Sequence, residues 1–114
     1  LGALACGATG AVGSCYGFAA PFWLKIIAAY EAGQQDEAQQ WMRKAVRLVR
    51  FIATEPGPFQ STVKQVIWPL VGFEPGPTRA PQVTLSQEQI DQARRWLDDT
   101  GFGEEIATGT FKLS

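Results

Sequence analysis

The stretch Gly7-Ala-Thr-Gly-Ala-Val-Gly-Ser14 decides how this chain is read. Glycine recurs at 7, 10 and 13 among small apolar residues, and Gly10-Ala-Val-Gly-Ser14 reads as a short buried strand in which glycine permits close packing. Upstream, Leu1, Leu4 and Ala5 fall at helical spacing, so Gly7 stands where a left-handed helix terminator belongs. A single strand leaves backbone N–H and C=O groups unpaired on both edges, at about 1–3 kcal/mol for each group buried that way. The rest of the chain reads as helices, so either the sheet neighbours lie elsewhere or the segment is a loop.

The same glycines invite a phosphate-loop reading, because closely spaced glycines let N–H groups approach an anion. The spacing does not fit a dinucleotide fingerprint, and no Gly-Lys-Ser/Thr follows. Ser14 would end the strand, and in a parallel α/β barrel that end faces the active site. Its hydroxyl could meet a ligand or could be purely structural; spacing alone leaves both open.

Outward from this segment, composition bounds the chemistry. The chain has 114 residues, 46% hydrophobic and 18% charged, which suits one globular domain. Ten basic residues against eleven acidic ones give a net charge of -1, without the basic concentration a nucleic-acid partner requires. Histidine is absent, which excludes Ser-His-Asp and Cys-His nucleophilic systems and imidazole metal sites within this chain. Cys6 and Cys15 are too few for a disulfide framework or a cysteine metal site, so a reducing, cytoplasmic setting is expected, with no metal and no cofactor. The apolar runs at Phe22–Tyr30 and Leu48–Ala53 are broken by Lys25 and Arg50 and fall short of a membrane span.

Four helices are expected. Ala19–Ala32 opens at Pro21 and closes at Gly33. Asp36–Ala53 carries Ala38, Trp41, Met42, Ala45, Val49 and Ile52 at three- and four-residue steps, widened by Leu48 and Phe51. Its Arg43, Lys44, Arg47 and Arg50 read as a solvated or interface face. Ser61–Ile67 should kink or end at Trp68-Pro69, which removes a donor. Ser86 and Gln89 form a capping-box pair before a helix that ends near Gly101, with Leu85 placed to staple against Ile90. Lys64 reads as a surface lysine, because Gln60, Gln65 and Trp68 give nothing to lower its pKa. The two cysteines read as small hydrophobes without a base.

Gly7-Ala-Thr-Gly-Ala-Val-Gly-Ser14 resembles strand eight of the N-acetylneuraminate lyase and dihydrodipicolinate synthase family, closest to the lyase form Gly-Ala-x-Gly-Ala-(Ile/Val)-Gly-Ser. Further agreement lies in Tyr30-Glu-Ala-Gly33 with Asp36 and Ala38, in Ser61-Thr-Val-Lys64, and in Gly76-Pro-Thr-Arg-Ala-Pro81, so that the resemblance spans about residues 1–106. It implies an α/β fold: the C-terminal fragment of a (β/α)8 TIM barrel plus three additional C-terminal helices. Residues 1–33 would be the last βα unit, 34–106 the helical extension and 107–114 a tail. The implied activity is that of a class I, Schiff-base pyruvate aldolase, cleaving sialic acid to pyruvate and N-acetylmannosamine. Dihydrodipicolinate synthase or another 2-keto acid aldolase is the alternative, and a non-catalytic helical interaction module the alternative of another class.

The family's lysine on strand six and tyrosine on strand five would both precede Leu1, so no catalytic residue is expected in this chain. The implied substrate-binding residues are Val12 beside the pyruvate imine, Gly13, Ser14 toward the sugar, and Phe59 at the site mouth. The implied partners are the N-terminal part of the same barrel, further copies in a tetramer, and a keto-acid sugar, with neither nucleic acid nor membrane.

Overall fold

In the computed structural model, which describes residues 1–113, every regular element is helical. Helix α1 spans Gly2–Ala5, α2 Tyr16–Glu31 and α3 Gln35–Thr54. Helix α4, Phe59–Thr62, runs through a π-helical turn, Val63–Ile67, into α5, Trp68–Leu70. Helices α6, Gln87–Thr100, and α7, Phe102–Thr108, complete the order.

The expected barrel stave is therefore overturned. No strand exists among the described residues, and Gly10–Ser14 is irregular and exposed, with Val12 at 101% relative exposure. The physical reason lies in what defines a strand. Ladder bonds to a neighbour hold it extended, and a run of five small residues has too little apolar surface to bury by itself. The α/β fragment gives way to an all-helical body. In the segment 107–114, read as a tail, α7 continues to Thr108, Phe111 lies in the core, and Ser114 lies outside the described residues.

Two helix ends follow the sequence closely. After α1, Gly7 takes φ 88°, its N–H reaches the Leu4 carbonyl at 2.9 Å, and the Ala8 N–H reaches Ala3 at 2.9 Å. After α2, Gly33 takes φ 73°, and the pair recurs as Gly33 to Tyr30 at 3.0 Å and Gln34 to Ala29 at 2.9 Å. Both are six-to-one, five-to-two closures in which glycine supplies the left-handed residue. The second turns α3 back along α2.

Pro21 acts one step differently from expectation. Helix starts at Tyr16, breaks at Ala19 (φ -134°, ψ 22°), and restarts into the proline, whose missing N–H is then no loss. Trp68-Pro69 is likewise absorbed rather than terminal. The Trp68 N–H bonds the Val63 carbonyl five residues back, and the widened turn makes room for the Pro69 ring before α5.

Packing joins these pieces into one continuous buried cluster from Cys15 to Phe111. Phe22 is its hub: it stacks on Phe111 with centroids 4.9 Å apart and meets Trp41 edge-on at 5.6 Å. At the other end Phe51 stacks on Trp96 at 3.7 Å, and Trp96 on Phe102 at 5.6 Å. The capping box of α6 forms as read: Ser86 Oγ accepts from the Gln89 N–H at 3.2 Å, and Gln89 Oε1 accepts from the Ser86 N–H at 2.8 Å. Gln89 Nε2 also donates to the Pro56 carbonyl at 2.6 Å, tying α6 to the end of α3. The connector before α6 is strapped down by Ser61 Oγ to the Val83 carbonyl at 2.6 Å, Gln65 Oε1 to the Leu85 N–H at 2.7 Å, and Lys64 Nζ to the Pro77 carbonyl at 3.1 Å.

Candidate functional site

Of the residues expected to bind substrate, three lie together and one apart. Val12, Gly13 and Ser14 follow one another on the exposed segment before α2. The Gly13 Cα faces the Tyr16 ring so closely that an added Cβ would sit 3.1 Å from Tyr16 Cζ. The Ser14 hydroxyl makes no hydrogen bond among the described residues, and its side chain is exposed. Phe59, half-buried, packs on the helical core at the start of α4 and lines none of the cavities that border residues 8–11. The structure does not gather the four into one pocket.

A pocket does open beside this segment. A groove of about 450 Å³ runs between α1, residues 8–11 and α2, and Trp23, Leu24, Ile27 and Met42 form much of its wall. Tyr16 closes one end, edge-on to Trp23 at 5.3 Å. Glu31 is the one charged side chain in the lining among the described residues. Trp23 Nε1 is buried at this wall and has no hydrogen-bond partner among the described residues. Leaving such a donor unpaired costs on the order of 1–3 kcal/mol. The groove can bury apolar surface, and the polar side chains in its lining are Thr9, Tyr16 and Glu31 besides the Trp23 indole.

This groove was not singled out from the sequence, although a signal exists. Phe22-Trp-Leu-Lys-Ile-Ile-Ala-Ala-Tyr30 is apolar nearly all round, and a helix of that kind expects neighbours on more than one side. Phe22, Ile26 and Ala29 face the core, which leaves Trp23, Leu24 and Ile27 outside it.

The remaining candidates keep plain roles. Lys64 serves the connector strap. Burial pushes the Cys15 thiol above its ordinary pKa, which disfavours the thiolate a nucleophile needs; Cys6 is exposed. No group of three His, Cys, Asp or Glu side chains among the described residues is placed to hold a metal ion. No helix of the described residues is long and apolar enough to cross a membrane.

The Dihydrodipicolinate synthetase family matches over residues 1–100, from α1 to the last turn of α6. The chain is a member of that family, whose enzymes are aldolase-type lyases on TIM barrels. Compared with curated proteins and with solved structures, it has no match.

Proposed function

We propose that the chain is the helical C-terminal part of a class I pyruvate aldolase, and that its substrate is a sialic acid, cleaved to pyruvate and N-acetylmannosamine. The carrying observation is the family match over residues 1–100, which includes the Gly13-Ser14 pair of the lyase-like motif. In such a reaction a lysine amine condenses with the substrate keto group, loses water, and leaves a cationic imine. The imine nitrogen then accepts the electron pair of the carbon–carbon bond that breaks. That lysine is supplied by the N-terminal part of the enzyme, as is the tyrosine that moves the proton. Val12 packs beside the three-carbon unit, and Ser14 hydrogen-bonds the sugar-derived portion.

Two features support an upstream partner. The groove along Trp23, Leu24 and Ile27 offers apolar surface to cover, and the buried Trp23 N–H beside it has no hydrogen-bond partner among the described residues. Val12 and Ser14 do nothing for the helical body, as their exposure implies. The second reading, a non-catalytic helical interaction module, is favoured by the helical character of the described elements.

The experiment combines this chain with the N-terminal portion of the enzyme and adds pyruvate with borohydride. A covalently trapped imine on the N-terminal portion, formed only in the mixture, supports the aldolase; no complex and no adduct support the module. Retro-aldol turnover of sialic acid, set against condensation of pyruvate with aspartate semialdehyde, then separates the lyase from the synthase. Ser14→Ala should raise KM for the sugar acid while pyruvate trapping persists.

A further inference from the structure

We propose that the depression between α3, α6 and α7 is a binding site for a small oxyanion, a phosphate or carboxylate carried on an organic body. The depression measures about 330 Å³ and is lined by Gln40, Arg43, Lys44, Arg47, Thr100 and Phe102, with Leu113 at its edge. This site is remote in sequence from residues 7–14 and does not depend on the aldolase reading.

The charges decide what can enter. Lys44 is already neutralised: its Nζ lies 2.5 Å from Glu105 Oε1 and also donates to the Lys112 carbonyl, so it works as a wall. Arg43 and Arg47 are different. They stand one helical turn apart, and among the described residues no carboxylate comes within ion-pair distance of either. The positions three and four residues away on α3 hold Gln39, Gln40, Val46, Arg50 and Phe51 besides the two arginines themselves and Lys44. None of these is acidic. An exposed helix usually intersperses cations with carboxylates at such spacing, and like charges there repel by a few tenths of a kcal/mol. Among the described residues, two guanidinium groups thus share one depression with no carboxylate paired to either, the Glu105 carboxylate being held by Lys44.

The surroundings give that pair direction. The Arg47 guanidinium lies over the Trp96 ring, 5.8 Å from its centroid, and Trp96 itself stacks with Phe51 and with Phe102. An arginine held on an aromatic face has less freedom left to lose on binding. Thr100 Oγ1 spends its proton on the Trp96 carbonyl at 2.7 Å, so it offers shape rather than a donor. The donors that remain are the two guanidinium forks and the Gln40 amide, beside the apolar flank of Phe102 and Leu113. Planar forks match phosphate and carboxylate oxygens in pairs, and the apolar flank suits the body that carries them.

The test is a titration of the 114-residue chain, followed by amide and arginine Nε–H resonances, with inorganic phosphate and separately with succinate, in about 0.15 M sodium chloride to screen loose surface binding. Saturable shifts centred on Gln40, Arg43 and Arg47 are expected with at least one probe. Arg43→Gln and Arg47→Gln should each weaken binding at least about tenfold, the loss of one charged hydrogen-bonding group, while Arg50→Gln changes it less than about twofold. Saturation with phosphate alone assigns a phosphate site, and with succinate alone a carboxylate site. Shifts that stay linear with both probes, or an Arg50→Gln loss equal to that of Arg47→Gln, overturn the proposal.

Discussion

Residues 7–14 and the helical body that follows differ in almost every physical respect. The first carries the glycine motif of the resemblance, yet it is exposed, irregular and bonded to the rest mainly through the closure at Gly7. The second is bound together by aromatic stacks, caps and straps. The residues that the resemblance implies for substrate and those that hold the fold thus lie mostly in different parts of the same chain. A residue that folds the molecule here says little about its chemistry, and the residues that suggest its chemistry do little to fold it.

The largest effect expected from attacking the body comes at Phe111. It is buried to 2% exposure and stacked on Phe22, so Phe111→Ala should cost about 3–5 kcal/mol in urea unfolding. A cost near zero would mean that the C-terminal segment is not anchored. Next is Gly57, where an added Cβ would sit 2.5 Å from Leu85 Cδ2. Gly57→Ala should cost about 1–3 kcal/mol, and much of that cost should vanish in a Leu85→Ala background, which a double-mutant cycle reads directly.

How much of this was legible in the sequence follows from the range of the interactions involved. Gly7, Gly33 and the Ser86–Gln89 box act within six residues, and their roles can be read from the letters alone. The inward face of α3 was legible through its periodicity, though Met42 and Val49 are only half-buried. Gly10–Ser14 was misread because strand and loop differ by a partner, which five residues cannot specify. Phe111 was left in a tail because its neighbour Phe22 is remote in sequence, and the groove was missed because nothing local marks which side of an apolar helix stays uncovered. Of the candidate site, Val12, Gly13 and Ser14 are consecutive and lie on one exposed segment, whereas Phe59 packs on the helical core at the start of α4.

A smaller effect belongs to Ser86→Ala, which removes the acceptor of the α6 cap and should cost about 1 kcal/mol by the same unfolding measurement. The smallest should fall in the motif itself. Val12→Ala and Ser14→Ala should each leave stability within about 0.5 kcal/mol of the parent chain. A larger loss in either would erase the contrast between the two regions.

The lone indole N–H at the groove has a practical consequence. Trp41 sits in the packed interior, whereas Trp23 is partly buried and lines the groove along α2. With Trp41 and Trp96 replaced by phenylalanine, and Trp68 likewise, the emission wavelength of Trp23 becomes a built-in optical gauge of whether this face of α2 is covered, without any attached dye.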